Sequence, residues 1–339
     1  MLRTLLRSKY FPLLITVVLF LVLFGIGSGM FRGFLSVQVF LNLFIDNAYL
    51  IIISTGMAMV LIIGGIDISV GSVIAMICMA SAYLLEYGHV NPFLVMILMV
   101  LTGAVFGFTQ GCLIHFFKIQ PFIVTLAGLF FARGMTAVIN TTSINIKDPV
   151  YLAVSNVKIT LLAKNYITVG VVDALVLLIL AVVIMQFTKF GRAAYAIGGN
   201  ETSAALMGLP VGRTKILIYT LNGVYSAFAG IVFSLYMLSG YTRHAVGAEM
   251  DAISSAVIGG MSLNGGIGYV IGALFGVLIN GTIQTLITFQ GTLSSWWAKI
   301  ASGLLLCVFI VFQRLILYKN QSGEIAIGSG KKEKTAGKA

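Results

Sequence analysis

The sequence predicts an all-α polytopic membrane protein with about ten transmembrane helices, some of them broken at glycines. Of its 339 residues, 59% are hydrophobic and only 9% are charged, and the mean hydropathy is +1.05. Several apolar runs reach the ~20 residues that a helix needs to cross a bilayer core. A helix satisfies its own backbone hydrogen bonds in lipid, whereas a β-barrel would show alternating segments of roughly ten residues.

Ten apolar segments follow one another along the chain, separated by polar or glycine-rich stretches. Residues 250–258 are too short for an ordinary span, so we interpret them as a half-helix or re-entrant element that counts as a crossing. These segments predict one transmembrane domain over 1–318, and the lysine-rich residues 319–339 predict a disordered cytoplasmic tail. In chain order the ten segments are 11–29, 39–63, 73–85, 92–117, 121–140, 166–187, 216–239, 250–258, 269–289 and 295–316.

The net charge of +11 is explained by membrane topology. Lys and Arg collect on the cytoplasmic side of membrane proteins. Here the basic residues concentrate at both termini and around 189–215, and this predicts that both termini are cytoplasmic. The pattern does not favour nucleic-acid binding, because the basic residues lie between apolar spans and do not form a separate basic face. The three cysteines lie in apolar runs without a CxxC pair, so no metal site is expected.

Two glycine-rich breaks interrupt the apolar runs: GGIDISVGS at 64–72 and GGMSLNGGIG at 259–268. At the first break, Asp67 or Ser69 is expected to cap the following helix by accepting bonds from its free amides. Broken helices at membrane depth also line cavities in transporters, and the two interpretations are compatible. The breaks resemble each other, but the match is too short to establish an internal duplication.

Glycines recur every fourth residue in two of the spans. Gly103, Gly107 and Gly111 form one row, and Gly272 and Gly276 form another. Such rows allow two helix backbones to approach closely. We therefore predict helix packing at both rows in preference to a pore-lining role.

Polar side chains inside or beside the spans are candidates for a translocation path. Asp46 lies on roughly one face with Asn42 and Asn47, and Asp46 and Arg133 are the best candidates for an internal ion pair. Polar groups in membranes are candidates for function, but hydrogen bonding between helices is the better explanation for any single residue. The candidate path residues are Asn42, Asp46, Asn47, Asp67, Ser69, Thr125, Asn222 and Asn264.

The basic stretch KFGRAAYAIGGNETSAALMGLPVGRTK at 189–215 separates two apolar runs. Its composition is that of a cytoplasmic loop, and its pattern predicts a short helix between two glycine-rich turns. A transporter uses such a loop to contact a soluble protein that drives transport. The chain has no GxxxxGK[ST], HExxH or GxSxG motif, so we expect neither ATP hydrolysis nor other enzymatic activity in this chain.

These motifs together resemble the permeases of ribose-type ABC sugar importers. The resemblance rests on GGIDISVGS, PFIVTLAG at 121–128, the 191–213 stretch, EMDAISSAVIGG at 249–260 and the SLNGGIG that follows. It covers nearly the whole chain in order and implies the ABC importer permease fold. The segment FQGTLSSWWAKIA at 289–301 is most similar to the galactofuranose-transporting branch, while Asn264 stands where Ser or Gly is usual.

The resemblance implies that 188–215 is a coupling loop with a coupling helix at about 200–207. Asn200 would cap this helix, and a small face of Ala204 and Ala205 would dock in a groove of the ATPase. The residues implied in coupling are Arg192, Gly198, Gly199, Asn200, Glu201, Ala204, Ala205 and Gly208.

The resemblance also implies the partners. A separate ATPase with two nucleotide-binding domains would bind ATP and Mg, and this chain would bind no cofactor. A periplasmic sugar-binding protein would deliver the substrate, and a second, non-identical permease would complete the pore in the bacterial inner membrane. An ion-coupled sugar carrier without an ATPase and a non-transporting membrane scaffold are the alternatives. The scarcity of embedded carboxylates weighs against the carrier.

Overall fold

The computed structural model describes residues 11–162, 165–294 and 296–311, so the predicted tail at 319–339 lies outside the described residues. The described residues are mainly helical, with four short strands. The helices are α1 Phe11–Met30, α2 Val37–Asp46, α3 Ala48–Ile62, α4 Val70–Glu86, α5 Pro92–Phe116, α6 Pro121–Ile139, α7 Pro149–Asn156, α8 Val169–Phe187, α9 Lys189–Gly199, α10 Glu201–Leu206, α11 Val211–Met237, α12 Ala248–Ile258, α13 Val270–Gln290 and α14 Trp296–Val311. The strands are β1 Ile144–Asn145, β2 Lys158–Leu162, β3 Asn165–Thr168 and β4 Ser239–Gly240.

The helices confirm a polytopic membrane fold but make "about ten" spans imprecise. Among the described residues, α1, α5, α6, α8, α11 and α13 are each long and apolar enough to cross a bilayer. The pair α2 and α3 is a seventh candidate, bent by 58°. Helices α4 and α14 are apolar but shorter. The 11 residues of α12 extend only about 16 Å at 1.5 Å per residue.

Helix α3 forms the centre of the bundle. Apart from Tyr49, each of its residues from Ala48 to Ile62 is buried, as expected for a helix that is apolar on all faces. Helices α11, α12, α8 and α13 all pack against it. Helix α11 also packs along α5 and α4, so it connects the central helix α3 to these two helices.

Both glycine rows are packing surfaces, as predicted. A Cβ on Gly107 would collide with the backbone carbonyl of Tyr219 in α11, and a Cβ on Gly223 would collide with the carbonyl of Gly103. The second row brings α13 against α12, where a Cβ on Gly276 would collide with the carbonyl of Ser255. The absent side chains allow backbones to touch.

The polar segment at 140–165, between two apolar runs of the sequence, contains secondary structure. It includes helix α7 and two small antiparallel pairings, β1 with β4 and β2 with β3. The Glu86 carboxylate at the end of α4 accepts hydrogen bonds from the backbone amides of Lys147 (2.6 Å) and Asp148 (3.2 Å). The sheets and α7 therefore close one end of the bundle, which we call the sheet end.

Candidate functional site

The opposite end of the bundle, the α10 end, carries the predicted coupling loop. Helix α10 is present, and Asn200 caps it as predicted, with its side-chain oxygen accepting from the Ser203 amide at 2.8 Å. Gly208 ends the segment with a positive φ of 77°. The Glu201 carboxylate accepts from the Lys215 ammonium at 2.6 Å and ties α10 to α11.

The exposed face of α10 differs from the predicted face. Ala204 is completely buried against the rest of the chain, whereas Ala205 is exposed. Neighbouring helical residues point about 100° apart, so these two alanines do not share one surface. The largest exposed side chains are Leu206 and Met207, at 85% and 68% exposure. The prediction of a docking face made from both alanines is therefore corrected: Ala204 faces the rest of the chain, and Ala205, Leu206 and Met207 are exposed around the end of α10.

The first predicted glycine turn is also corrected. Gly198 and Gly199 are the last residues of α9, so a helix of 11 residues precedes α10 where a turn was expected. Arg192 lies on the exposed side of α9. Burial raises the pKa of the Tyr195 hydroxyl to about 12. This hydroxyl stays protonated at neutral pH and donates a 2.9 Å hydrogen bond to the Gly268 carbonyl.

A buried polar cluster fills the first glycine break, between α3 and α4. One carboxylate oxygen of Asp67 accepts from the Ser69 amide (2.8 Å) and hydroxyl (2.6 Å). Its other oxygen accepts from the side-chain amide of Asn222 in α11 at 2.7 Å. All three residues are buried. A buried carboxylate needs such donors, because burying an unsatisfied charge costs several kcal/mol.

Asp67 does not cap α4 in the expected way. Ser69 occupies the N-cap position, but its side chain makes no capping bond to α4, and the Asp67 carboxylate bonds Ser69 itself. The carboxylate thus stabilises the non-helical segment before α4 and joins it to α11. Asn222, more than 150 positions away in sequence, takes the second oxygen.

Two further residues of the cluster were missing from the predicted path. Gln110 in α5 donates to the Ser69 hydroxyl at 3.0 Å, and the buried hydroxyl of Tyr219 lies against the backbone of Gly65. Among the described residues, the Tyr219 hydroxyl and the side-chain oxygens of Gln110 and Asn222 have no hydrogen-bond partner. Gln110 could have been found from sequence, because it precedes Gly111 in the row that packs on α11.

The other path residues divide between this cluster and more distant places. Thr125 in α6 joins the cluster, because its hydroxyl donates to the Ile66 carbonyl at 3.3 Å. Asn264 is exposed at the α10 end, with its carbonyl 3.5 Å from the position of a Cβ on Gly64. The structure therefore joins four of the eight residues: Asp67, Ser69, Thr125 and Asn222.

Asn42, Asp46 and Asn47 lie at the other bend, between α2 and α3. Asn42 accepts from the side-chain amide of Gln38 at 2.8 Å, and Asn47, which follows α2, donates to the Leu43 carbonyl at 2.9 Å. These bonds do not involve the Asp67 cluster, so the three residues form a separate group.

The proposed internal pair of Asp46 and Arg133 is wrong. Asp46 accepts from the Tyr236 hydroxyl at 3.2 Å. Arg133 donates to the carbonyls of Thr242 (2.8 Å) and His244 (2.9 Å). Arg133 thus fixes the non-helical segment that precedes α12, and its guanidinium satisfies backbone groups that the chain leaves unpaired there.

Comparison with known proteins places this arrangement in a family. The family model described as the permease component of branched-chain amino acid transport systems matches residues 39–310. The chain is 46% identical to the inner membrane ABC transporter permease protein YjfF of Escherichia coli, over 93% of this chain and 96% of the relative. No solved structure matches the chain.

Two other relatives carry the names of sugar importers. The fructose import permease FruG of Bifidobacterium longum is 38% identical, over 96% of this chain and 95% of the relative. The ribose import permease RbsC of Bacillus subtilis is 35% identical, over 81% and 84%. Because the model match and these alignments cover most of both chains, this chain belongs to the family of ABC transport-system permease components.

Proposed function

We propose that this chain is the transmembrane permease subunit of an ATP-driven importer that moves a monosaccharide into the cytoplasm by alternating access. The observation that carries the proposal is α10: a capped helix of six residues, anchored by an ion pair, whose Leu206 is exposed to solvent together with the Met207 that follows the helix. Exposed apolar residues on a short, fixed helix indicate a partner surface. The family membership supports the same function.

The proposed partners follow from this role. An ABC ATPase with two nucleotide-binding domains docks on α10 and binds ATP and Mg, while this chain binds no cofactor and performs no bond chemistry. A periplasmic sugar-binding protein delivers the substrate. A second homologous permease pairs with this chain as a heterodimer, and both lie in the bacterial inner membrane.

The proposed orientation puts the α10 end and both termini in the cytoplasm. The exposed basic residue Arg192 and the Lys215–Glu201 pair lie at this end, and cytoplasmic loops are enriched in Lys and Arg. The sheet end then faces the periplasm, where the binding protein delivers sugar.

We propose galactofuranose or a related pentose or hexose as the substrate. The names of FruG and RbsC support a monosaccharide, and the similarity of residues 289–301 to the galactofuranose branch supports the finer assignment. Three of the other candidate path residues, Ser69, Thr125 and Asn222, gather around Asp67, where buried amide and hydroxyl oxygens offer the hydrogen-bonding chemistry that sugars require.

The test is ATP hydrolysis by the complete assembly in lipid vesicles. The binding protein is loaded in turn with each of a panel of pentoses and hexoses, furanose forms included. We expect the loaded binding protein to stimulate hydrolysis and accumulate the sugar, most strongly with galactofuranose. Absence of stimulation by every sugar would favour a membrane scaffold. Uptake that survives loss of the ATPase and collapses with an uncoupler would establish an ion-coupled carrier.

A paired substitution on α10 tests the docking surface. Ala205→Arg puts a charged side chain on the exposed face, and we expect it to abolish uptake and co-purification of the ATPase while the permease remains in the membrane. Ala204→Arg puts the same side chain into a buried position and should instead lower the amount of folded permease. Normal uptake by Ala205→Arg would remove α10 from the interface.

A further inference from the structure

Three separate segments meet through their backbones at the α10 end. They are the end of α3 at Ile62 with Gly64, the second glycine break at Gly265 and Gly266, and the end of α9 at Gly198. We call this meeting point the glycine junction. The amide of Gly266 donates to the Ile62 carbonyl at 2.8 Å, so the two glycine breaks of the sequence are hydrogen-bonded neighbours in space.

The contacts leave no room for side chains. A Cβ on Gly265 would lie 2.8 Å from both the Gly198 carbonyl oxygen and the Gly64 amide nitrogen. A Cβ on Gly198 would collide with the Ile62 carbonyl oxygen and lie 2.6 Å from the Gly266 amide. Real Cβ atoms do not approach backbone this closely, so the three segments touch because Gly198 and Gly265 carry no side chain.

We propose that the glycine junction transmits displacement of α10 to both broken segments of the permease at once. This inference rests on the proposed function of α10 as the ATPase-docking helix. Helix α9 ends at Gly199 and Asn200 starts the next turn, so α10 cannot move far without moving Gly198. Gly198 in turn contacts the backbone on each side: Ile62 at the end of α3, and Gly265 and Gly266 before α13.

Backbone contacts suit this role for a physical reason. Side chains can change rotamer and absorb a small shift, whereas packed backbone has no such freedom and moves as a unit. The Tyr195 hydroxyl adds a second connection, because it joins α9 to the Gly268 carbonyl at 2.9 Å. The second break therefore follows α9 through two points of contact.

A parallel connection runs through α11. The Lys215–Glu201 pair fixes α10 to the start of α11 at 2.6 Å. Two turns further on, Asn222 bonds Asp67 in the first break at 2.7 Å. The first break is thus held from both sides of α10, by Gly198 through α9 and by Asn222 through α11. A shift of α10 reaches Asp67, the centre of the buried polar cluster, by either route.

The test compares a glycine inside the junction with a helical glycine outside it. Gly198→Ala introduces a methyl group into the junction, whereas a Cβ on Gly134 in α6 meets nothing within 4 Å. In the complete assembly, we expect Gly198→Ala to lower sugar transported per ATP hydrolysed by about tenfold while the ATPase still co-purifies. Gly134→Ala should match the unmodified chain. Normal coupling in Gly198→Ala would overturn the proposal, as would loss of the ATPase from it, because the residue would then act in docking.

A second pair of variants, with smaller structural changes, tests the proposal even if Gly198→Ala does not fold. Tyr195→Phe removes only the hydrogen bond to Gly268, and we expect transport per ATP to fall by about threefold. Tyr225→Phe removes an equivalent bond, from α11 to the Leu177 carbonyl at 2.7 Å, which lies outside the junction and should leave this ratio unchanged. Equal effects of both variants would contradict the proposal. Failure of the unmodified assembly to transport sugar with ATP would instead contradict the proposed function.

Discussion

At the scale of single residues, Asp67 is a polar side chain buried within an apolar bundle. Its carboxylate is buried, and the three groups that donate to it are neutral: the Ser69 amide, the Ser69 hydroxyl and the Asn222 amide. Neither of the ion pairs among the described residues involves it. Each of these hydrogen bonds can break separately from the others. A displacement of α11, which carries Asn222, can therefore break the bond to one carboxylate oxygen while the bonds from Ser69 remain.

Substitution of Asn222 tests how much this arrangement contributes to folding. We expect Asn222→Leu to lower the free energy of unfolding by about 2 kcal/mol, because one oxygen of a buried carboxylate loses its donor. Thermal unfolding of the purified permease in detergent measures the loss. Ser226→Ala is the matched control on the same helix. Its hydroxyl bonds only the Asn222 carbonyl of its own helix at 2.9 Å, so the cost should stay within about 1 kcal/mol. Equal losses in both variants would contradict a special role for Asn222.

Sequence could identify Asp67, Ser69 and Asn222 as candidates but not as partners. Polar residues are rare in apolar spans, so each of them is conspicuous by itself. Their pairing depends on where α11 crosses the first break, and that is set by tertiary packing. Tyr219 was not predicted as part of the cluster for a related reason. Its sequence position is that of an ordinary core residue on α11, and only the position of its hydroxyl near Gly65 places it in the cluster.

At the scale of elements, the sequence predicted a feature that depends on neighbouring residues and missed features that depend on tertiary packing. The cap of α10 by Asn200 depends on neighbouring residues, and it was predicted correctly. The burial of Ala204 depends on what lies under the helix, and it was not predicted. Likewise, β1 pairs with β4 across nearly a hundred residues. Strands of two residues carry no periodicity that a sequence could show.

The glycine row of α5 gives a prediction at this scale. Gly107→Ala should separate α5 from α11 and lower the unfolding free energy by about 1–3 kcal/mol, because backbone atoms of Tyr219 occupy the space that a Cβ needs. Gly134→Ala in α6 is the control, since a Cβ there meets nothing within 4 Å. This control should be neutral or more stable by up to about 1 kcal/mol, as expected for alanine in a helix. Thermal unfolding of both variants in the same detergent provides the comparison.

At the scale of the whole molecule, hydropathy predicts the class of fold correctly but gives an imprecise number of spans. Helices α1, α5 and α8 are each long and apolar enough to cross a bilayer, because each is one continuous apolar run. The count is imprecise where crossings are built from pieces: α2 with α3, the short α4, and α12 with the non-helical segment held by Arg133. Inside the bundle, the Arg133 guanidinium and the Asp67 carboxylate bond backbone groups of these non-helical segments.

Cysteine labelling tests the orientation of the whole molecule. Lys147→Cys at the sheet end and Thr202→Cys on α10 are both exposed positions, introduced into a background without Cys112 and Cys307. In intact spheroplasts, a membrane-impermeant maleimide should label position 147 and leave position 202 unlabelled until the membrane is opened, because basic loops stay inside. The reverse pattern would invert the proposed orientation, and labelling of both positions in intact spheroplasts would contradict a bundle with two opposite ends.

The glycine junction has a consequence for how the family can be compared. Residues in contact usually reveal each other among relatives by changing in pairs, since one side chain compensates for another. At the junction, Gly198 and Gly265 meet Ile62 and Gly64 through backbone atoms, so no second side-chain change can compensate for a change at either glycine. We expect Gly198 and Gly265 to show no correlated substitution with their contact partners, and the contact between the two breaks to be visible only as two independent restrictions to glycine.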